Sequence, residues 1–188
     1  MNFSEMKEVL AARLKKSRYL HSLGVSETAV FLAGRFGVDL EKARIAGLLH
    51  DCAREYRNEA MLSEADRRSI PYGDVERQMP LLLHAYIGAV RIGELYEVRD
   101  AEIAQAIHRH TVGGENMTKL DKIIYFADMI EPNRVYPGVE ALRKLSREDG
   151  LDDMVFAGLS QSIAFVVKKR HLIHPDTVLA RNEILLKG

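Results

Sequence analysis

The residues best suited to chemistry in this chain are histidines and aspartates set inside, or at the ends of, apolar runs. Histidine occurs at positions 21, 50, 84, 108, 110, 171 and 174. A single histidine is more often a surface group or a satisfied core residue than a ligand, so the surroundings decide. His50 and Asp51 follow Ala46-Gly47-Leu48-Leu49, a polar pair closing an apolar helix. Burying an imidazole beside a carboxylate is costly unless something pairs with both, and a metal ion does so. His84 follows Leu81-Leu82-Leu83 in the same way, and Asp128 sits inside the apolar run 123–130. His108 and His110 must be separated, because residues two apart on a helix point about 200° apart. Ile103 and Ile107 define the buried stripe; His110 lies nearer to it and is the ligand candidate, whereas His108 is assigned to the surface.

Collected, the pattern is His21, His50, Asp51, His84, His110 and Asp128, each on a different expected helix except the adjacent pair. Four imidazoles and two carboxylates suit a borderline divalent transition metal, since magnesium and calcium favour all-oxygen shells. Six protein ligands exceed the roughly three that one open catalytic site uses. They can hold two metals if a carboxylate bridges, and Asp51 is the sensible bridge. Two metals ~3.5–4 Å apart can activate one shared hydroxide and bind a phosphoryl oxygen.

The elements that must position this set read as helices. Val9, Leu10, Arg13 and Leu14 lie at one-face intervals after Ser4 as a cap. Ala29, Leu32, Ala33 and Phe36 repeat the pattern up to a stop at Gly37. Further helices are expected over 40–52, 58–68, 82–95, 101–110, 119–130, 139–145 and 151–170, with a last one after Pro175, a good first-turn residue. Gly47, inside the third helix, would permit close packing. No sustained period-two alternation and no Asn-Gly or Asp-Gly hairpin signals a strand. The joining segments are short, and no low-complexity linker or internal repeat interrupts them. The expectation is one all-α domain, a helical bundle over residues 1–188.

Composition agrees. A chain of 188 residues fits one domain with a full core, and 47% hydrophobic with 29% charged residues is ordinary globular composition. The 27 basic residues balance 27 acidic ones, which argues against coating nucleic acid or anionic lipid through bulk charge. No apolar stretch approaches the ~18 residues that span a bilayer. The lone Cys52 cannot form an internal disulfide, and residues 1–17 lack the apolar core of a signal peptide. The chain reads as soluble and cytoplasmic, with no nucleic-acid or membrane partner; a homodimer is compatible with it.

Several stretches carry a resemblance. They are Arg18-Tyr19-Leu20-His21-Ser22-Leu23-Gly24-Val25, Gly47-Leu48-Leu49-His50-Asp51, His110-Thr111-Val112-Gly113 and the run from Lys122 to Arg134. Ile173-His174-Pro175-Asp176-Thr177 and Ala180-Arg181-Asn182 extend them. The ordered set resembles the HD-domain phosphohydrolases, an all-helical superfamily of metal-dependent enzymes. It is most similar to their YqeK-like branch, the symmetrical bis(5'-nucleosyl)-tetraphosphatases. The resemblance implies a di-iron hydrolase that splits diadenosine tetraphosphate symmetrically into two ADP. His21, His50 and Asp128 would hold one iron, His84 and His110 the other, with Asp51 bridging; Asp51 and Asp128 would be the catalytic carboxylates. Arg18, His110, Thr111, Arg134, Arg170, Ile173 and His174 would contact the nucleotide.

Several residues have a plainer alternative. Arg18 shares a helix face with His21 and serves phosphate, the ligands or merely the surface. Arg134, just beyond the Asp128 helix, suits phosphate as a guanidinium fork. Thr111 leaves the His110 helix, where Gly113 and Gly114 are explained equally by termination. Lys168-Lys169-Arg170 is a solvated face unless it encloses nucleotide. Glu131 accepts a proton, packs a helix end or lies at the surface. Cys52 is a small core residue rather than a nucleophile, and Tyr19, Tyr125 and Phe126 are core packing rather than base-stacking platforms. Competing functions are another HD-type nucleotide phosphohydrolase, a di-iron oxygenase and a nucleotide sensor without turnover.

Overall fold

Apolar stripes at helical spacing become eleven α-helices in the computed structural model, which describes residues 1–187; no strand occurs among the described residues. The helices are α1 (Phe3–Arg13), α2 (Lys16–Phe36), α3 (Leu40–Leu49), α4 (Asn58–Arg67), α5 (Asp74–Gln78), α6 (Leu83–Leu95), α7 (Ala101–Arg109), α8 (Lys119–Ile130), α9 (Val139–Glu148), α10 (Leu151–Lys168) and α11 (Pro175–Lys187). Two 3-10 turns, Cys52–Glu55 and Pro80–Leu82, precede α4 and α6. No helix among them is long and apolar enough to cross a membrane.

Four details differ from the sequence expectation, each for a local reason. The cap of α1 is Asn2, not Ser4: the Asn2 side chain accepts the Glu5 N–H at 3.0 Å while the Glu5 carboxylate accepts the Asn2 N–H at 2.6 Å, a reciprocal capping box. The helix expected over 40–52 stops at Leu49. The His50 ring N–H takes the Gly47 carbonyl at 2.8 Å, which a continuing helix would reserve for the Asp51 N–H, and Asp51 turns out at φ −102°, ψ 15°. The five-residue α5 is too short to leave a periodic signal. Helix α10 ends at Lys168, because Arg170 adopts φ +56° and the His171 N–H closes back on Val166 O at 3.0 Å.

Helix α2 lies across α3 and α8, α7 packs against α3, α6 and α8, and α10 joins α8 to α9 and α11. The main core fills the space between them with Leu10, Val25, Leu32, Leu48, Ile107, Ile123 and Phe126. A smaller cluster of Ala53, Met61, Ala65, Leu83 and Ile87 seats α4 on α6. Gly47 sits where α3 meets α2. A Cβ there would lie 2.8 Å from Ser26 Cα, so only hydrogen lets these backbones approach as they do. That contact brings His21 on α2 to the end of α3, where His50 and Asp51 stand.

Candidate metal centre

The six ligand candidates come from five helices and converge on one buried spot. His21 lies in the second turn of α2, His50 and Asp51 follow α3, His84 opens α6, His110 caps α7 and Asp128 ends α8. His21, His50, Asp51, His84 and His110 are all buried, and Asp128 is half-buried.

Backbone chemistry orients the rings. The last carbonyls of a helix have no partner within it. His50 uses this by donating Nδ1–H to Gly47 O at 2.8 Å, and His110 by donating to Ile107 O at 2.6 Å. His84 donates to Leu81 O, in the turn before α6, at 2.5 Å. His21 stands within α2, where the carbonyls one turn back already serve the helix ladder. Its Nδ1–H goes instead to Glu131 Oε1 at 2.9 Å. Glu131 is 1% exposed and also accepts the Asn133 backbone N–H at 2.7 Å and side-chain N–H at 2.9 Å. Gly24 makes room for it, since a Cβ there would fall 2.4 Å from Glu131 Oε2.

With each Nδ1 protonated, every neutral ring turns a bare Nε2 inward. His21 and His50 Nε2 stand 3.2 Å apart, and His84 and His110 Nε2 3.0 Å apart. Two lone pairs facing each other at contact distance repel unless a cation sits between them, a proton or a metal. The carboxylates complete the donor set. Asp51 Oδ2 faces His21 at 3.7 Å and His50 at 3.5 Å, while its Oδ1 faces His84 at 3.1 Å and His110 at 3.8 Å. Asp128 Oδ1 lies 2.9 Å from His21 and 3.7 Å from His50. Three overlapping groups, His21 with His50 and Asp51, His50 with His110 and Asp128, and Asp51 with His84 and His110, each place their ligand atoms within 4.8 Å of one another. Imidazole nitrogens and carboxylate oxygens in this arrangement fit a pair of divalent transition-metal ions.

The electrostatics agree. Burial opposes ionisation of Asp51, but the charge and hydrogen bonds of His50, with His84, outweigh it and hold the carboxyl well below the usual carboxylate range. Burial likewise opposes ionisation of Asp128, and His21, His50 and Arg134 overcome it. His50 is pushed up against its own burial, chiefly by Asp51, whereas burial and then the charge of His50 and His84 push His110 down to about 3. Positive charge is wanted between the carboxylates and not on every ring.

Of the other expected site residues, Arg18 donates to Asp51 Oδ2 at 2.6 Å. Arg134 donates to the Asp128 carbonyl at 2.8 Å and also to its carboxylate. The Thr111 hydroxyl lies 3.1 Å from His110 Nε2 and 3.4 Å from His84 Nε2. Arg170 and Ile173 are exposed in the segment before α11, and His174 bonds Glu76 at 2.9 Å rather than any member of the cluster. His108 is exposed and stacks on Tyr86, with centroids 4.2 Å apart. Cys52 is buried and its thiol pushed up to about 12, mainly by desolvation, which makes it a core residue. Tyr125 and Phe126 are likewise core.

Two further residues belong to this cluster. Glu131, which the sequence offers as a proton acceptor or a packing or surface group, holds the His21 ring. Arg54, three residues past Asp51, senses the charges of Asp51, Asp128, Arg18 and Arg134, yet among the described residues its side chain has no hydrogen-bond partner. The spacing Asp51–Arg54 is visible in the sequence; the absence of a partner is not.

Comparison with known proteins places this geometry. The HD-domain family model matches residues 18–133. A Halalkalibacterium halodurans protein named "Bis(5'-nucleosyl)-tetraphosphatase, symmetrical" is 37% identical over 187 residues, covering 100% of this chain and 99% of its own. A Bacillus subtilis protein of the same name is 39% identical, covering 97% of both chains. The crystal structure of a Clostridium acetobutylicum protein, described as an HD superfamily hydrolase involved in NAD metabolism, superposes with a TM-score of 0.95 at 38% identity, over 100% of this chain and 99% of that one. The chain belongs to the HD-domain family, in the YqeK-like branch that the curated relatives represent.

Proposed function

We propose that this protein is a two-metal hydrolase that cleaves diadenosine tetraphosphate symmetrically into two ADP, working as a single HD-type domain over residues 1–188 in the cytoplasm. The observation that carries the reading is Asp51, whose two oxygens face two separate imidazole pairs. The names of the two relatives supply the substrate class. In this reading His21, His50 and Asp128 hold one divalent ion and His84 and His110 the other, with Asp51 shared; iron is the metal we assign. When bound, such ions supply Lewis acidity and an activated water for phosphoanhydride hydrolysis.

The chain's own residues do the rest. Arg18 orients Asp51, Arg134 holds Asp128 ionised and oriented, and Arg134 offsets charge on the polyphosphate. Among the described residues Arg54 pairs with no carboxylate, which leaves its guanidinium available to meet phosphate. The Thr111 hydroxyl borders the open side of the His84–His110 pair and donates to a phosphate oxygen. Arg170, Ile173 and His174 meet the nucleoside end of the substrate. ADP leaves with a low pKa, so no strong general acid is required of the protein.

The deciding experiment purifies the protein without air or chelator, measures bound metal and assays diadenosine tetraphosphate with product identification. Two ADP per substrate supports the reading. AMP plus ATP, or free phosphate released from a mononucleotide, assigns another HD-type reaction. Oxygen uptake assigns an oxygenase, and tight nucleotide binding without turnover a sensor.

A further inference from the structure

A cavity of about 540 Å³ lies between the stretch 78–81, which leads into the helix carrying His84, and the segment 170–172. Its size falls in the ~300–1,000 Å³ range of small-molecule sites. Met79, Pro80, Leu81 and Leu172 give it apolar walls, with Asn58, Gln78, Arg170 and His171 as polar lining. A nucleoside base, flat and weakly polar on its faces, suits such walls; a string of phosphates does not. The stretch 170–172 belongs to a connection between α10 and α11 with no helix of its own, and Arg170, His171 and Leu172 are all exposed. Something must hold that wall at a fixed distance from the other.

His174 and Glu76 do so. The Asp176 N–H donates to His174 Nδ1 at 3.1 Å, which leaves the ring proton on Nε2, and Nε2–H donates to Glu76 Oε1 at 2.9 Å. The same oxygen accepts the Tyr86 hydroxyl at 3.0 Å, and Oε2 accepts the Gly73 N–H at 3.0 Å. Glu76 is 4% exposed, an unusual burial for a carboxylate on a five-residue helix. Burial alone would raise its pKa, but the His174, backbone and Tyr86 hydrogen bonds prevail and hold it below its ordinary value. Glu76 stands two residues before one wall and His174 two residues after the other. Their bond clamps the two together.

We infer that Glu76 is a positioning residue for nucleoside recognition: through its hydrogen bond to His174 it sets the gap between the walls of this cavity, which takes one nucleoside of the substrate. The inference rests on the dinucleoside-polyphosphate reading of the site. Its test uses metal-loaded protein and two probes, ADP and inorganic tripolyphosphate, which has no nucleoside. Glu76→Ala weakens ADP binding about tenfold and leaves tripolyphosphate binding within about twofold. In His174→Ala, adding Glu76→Ala changes ADP affinity by less than about twofold more, because the two act as one unit. Leu172→Asp, an exposed position that does not threaten folding, also weakens ADP and spares tripolyphosphate. Unchanged ADP affinity in Leu172→Asp overturns the assignment, as does a Glu76→Ala loss shared equally by tripolyphosphate, or additive loss in the double variant. Binding is read without turnover, so a failure of diadenosine tetraphosphate cleavage leaves this result standing and is told apart from it.

Discussion

Three of the four candidate ligand imidazoles take their orientation from a backbone carbonyl, and His21 takes it from the buried carboxylate of Glu131. A carboxylate behind an imidazole fixes its tautomer and raises its basicity as a ligand, and loss of such a partner typically weakens metal binding ~10–100-fold. Glu131→Gln is therefore expected to loosen one metal and spare the other, giving a metal titration with one weakened site out of two. Equal loss at both would argue against the pairing of His21 with a single ion. Asp51→Ala acts differently, because its oxygens face both imidazole pairs: bound metal should fall from two to none, and retention of two metals with full activity sinks the bridging role. Arg134→Ala should raise KM more than it lowers metal content. The six ligand candidates were legible because a polar group beside a run of leucines or isoleucines must be buried and must be satisfied. The role of Glu131 was not, since it depends on the end of α8 meeting the second turn of α2, 110 residues away. Arg54 is not legible in the sequence for a related reason: its lack of a partner among the described residues shows only once its neighbours are assembled.

At the scale of elements, the long helices were readable from 3.6-residue periodicity, whereas α5 and the early end of α3 were not. Five residues carry no period, and α3 stops because a side chain, His50, claims a helix carbonyl. Gly47 was readable as a packing glycine, and the structure gives its consequence. A methyl group there meets Ser26 Cα at 2.8 Å and Ser26 N and Val25 O at 3.1 Å, backbone atoms that cannot swing aside. Gly47→Ala is expected to cost about 1–3 kcal/mol, as overpacking does, measured as a lowered denaturant midpoint. It should also impair the centre, since the same contact sets His21 against His50. A second element-scale device holds α4. Glu64 accepts from Arg67 at 2.7 Å, Arg68 at 2.7 Å and Tyr56 at 2.8 Å, and Arg68 reaches across to Glu94 on α6. The Arg67 hydrogen bond, then that of Arg68, lowers the Glu64 carboxyl from 4.5 to about 2 against its burial. Because the folded value is the depressed one, this stabilisation is fully present above pH 4.5 and is lost as pH falls from there through about 2. Glu64→Gln should be less stable than the parent at neutral pH, by up to ~3 kcal/mol. The gap should close in acid; a gap independent of pH would remove the ion pair as its cause.

Across the whole molecule, 27 basic and 27 acidic residues cancel, so attraction for a polyanion has to be local. In the proposed reading two divalent ions would bring four positive charges against the two candidate ligand aspartates, with Arg18, Arg54 and Arg134 close by, and a count of side chains omits such ions altogether. Ions held there would also bear on the fold. The candidate ligands come from α2, the ends of α3 and α7, the start of α6 and the end of α8, the helices whose packing forms the main core. Metal binding to the folded chain alone is then folding free energy. At a free concentration one hundred times Kd, one site adds ~2.7 kcal/mol, and for a chain of this size each kcal/mol moves Tm by ~2–4 °C. Each filled site should therefore raise Tm by roughly 5–11 °C, and a chelator should reverse the rise. Asp51→Ala supplies the control, since it withdraws the shared carboxylate from both sites without touching the apolar core. Its Tm should be insensitive to metal and chelator alike. A parent Tm that ignores metal would mean that the five helices are held by apolar packing alone, with the ions guests in a finished cavity. A rise of one site's size, with one metal bound, would place the staple on one imidazole pair, and Glu131→Gln would then show which, by abolishing the rise only if that pair is His21 and His50.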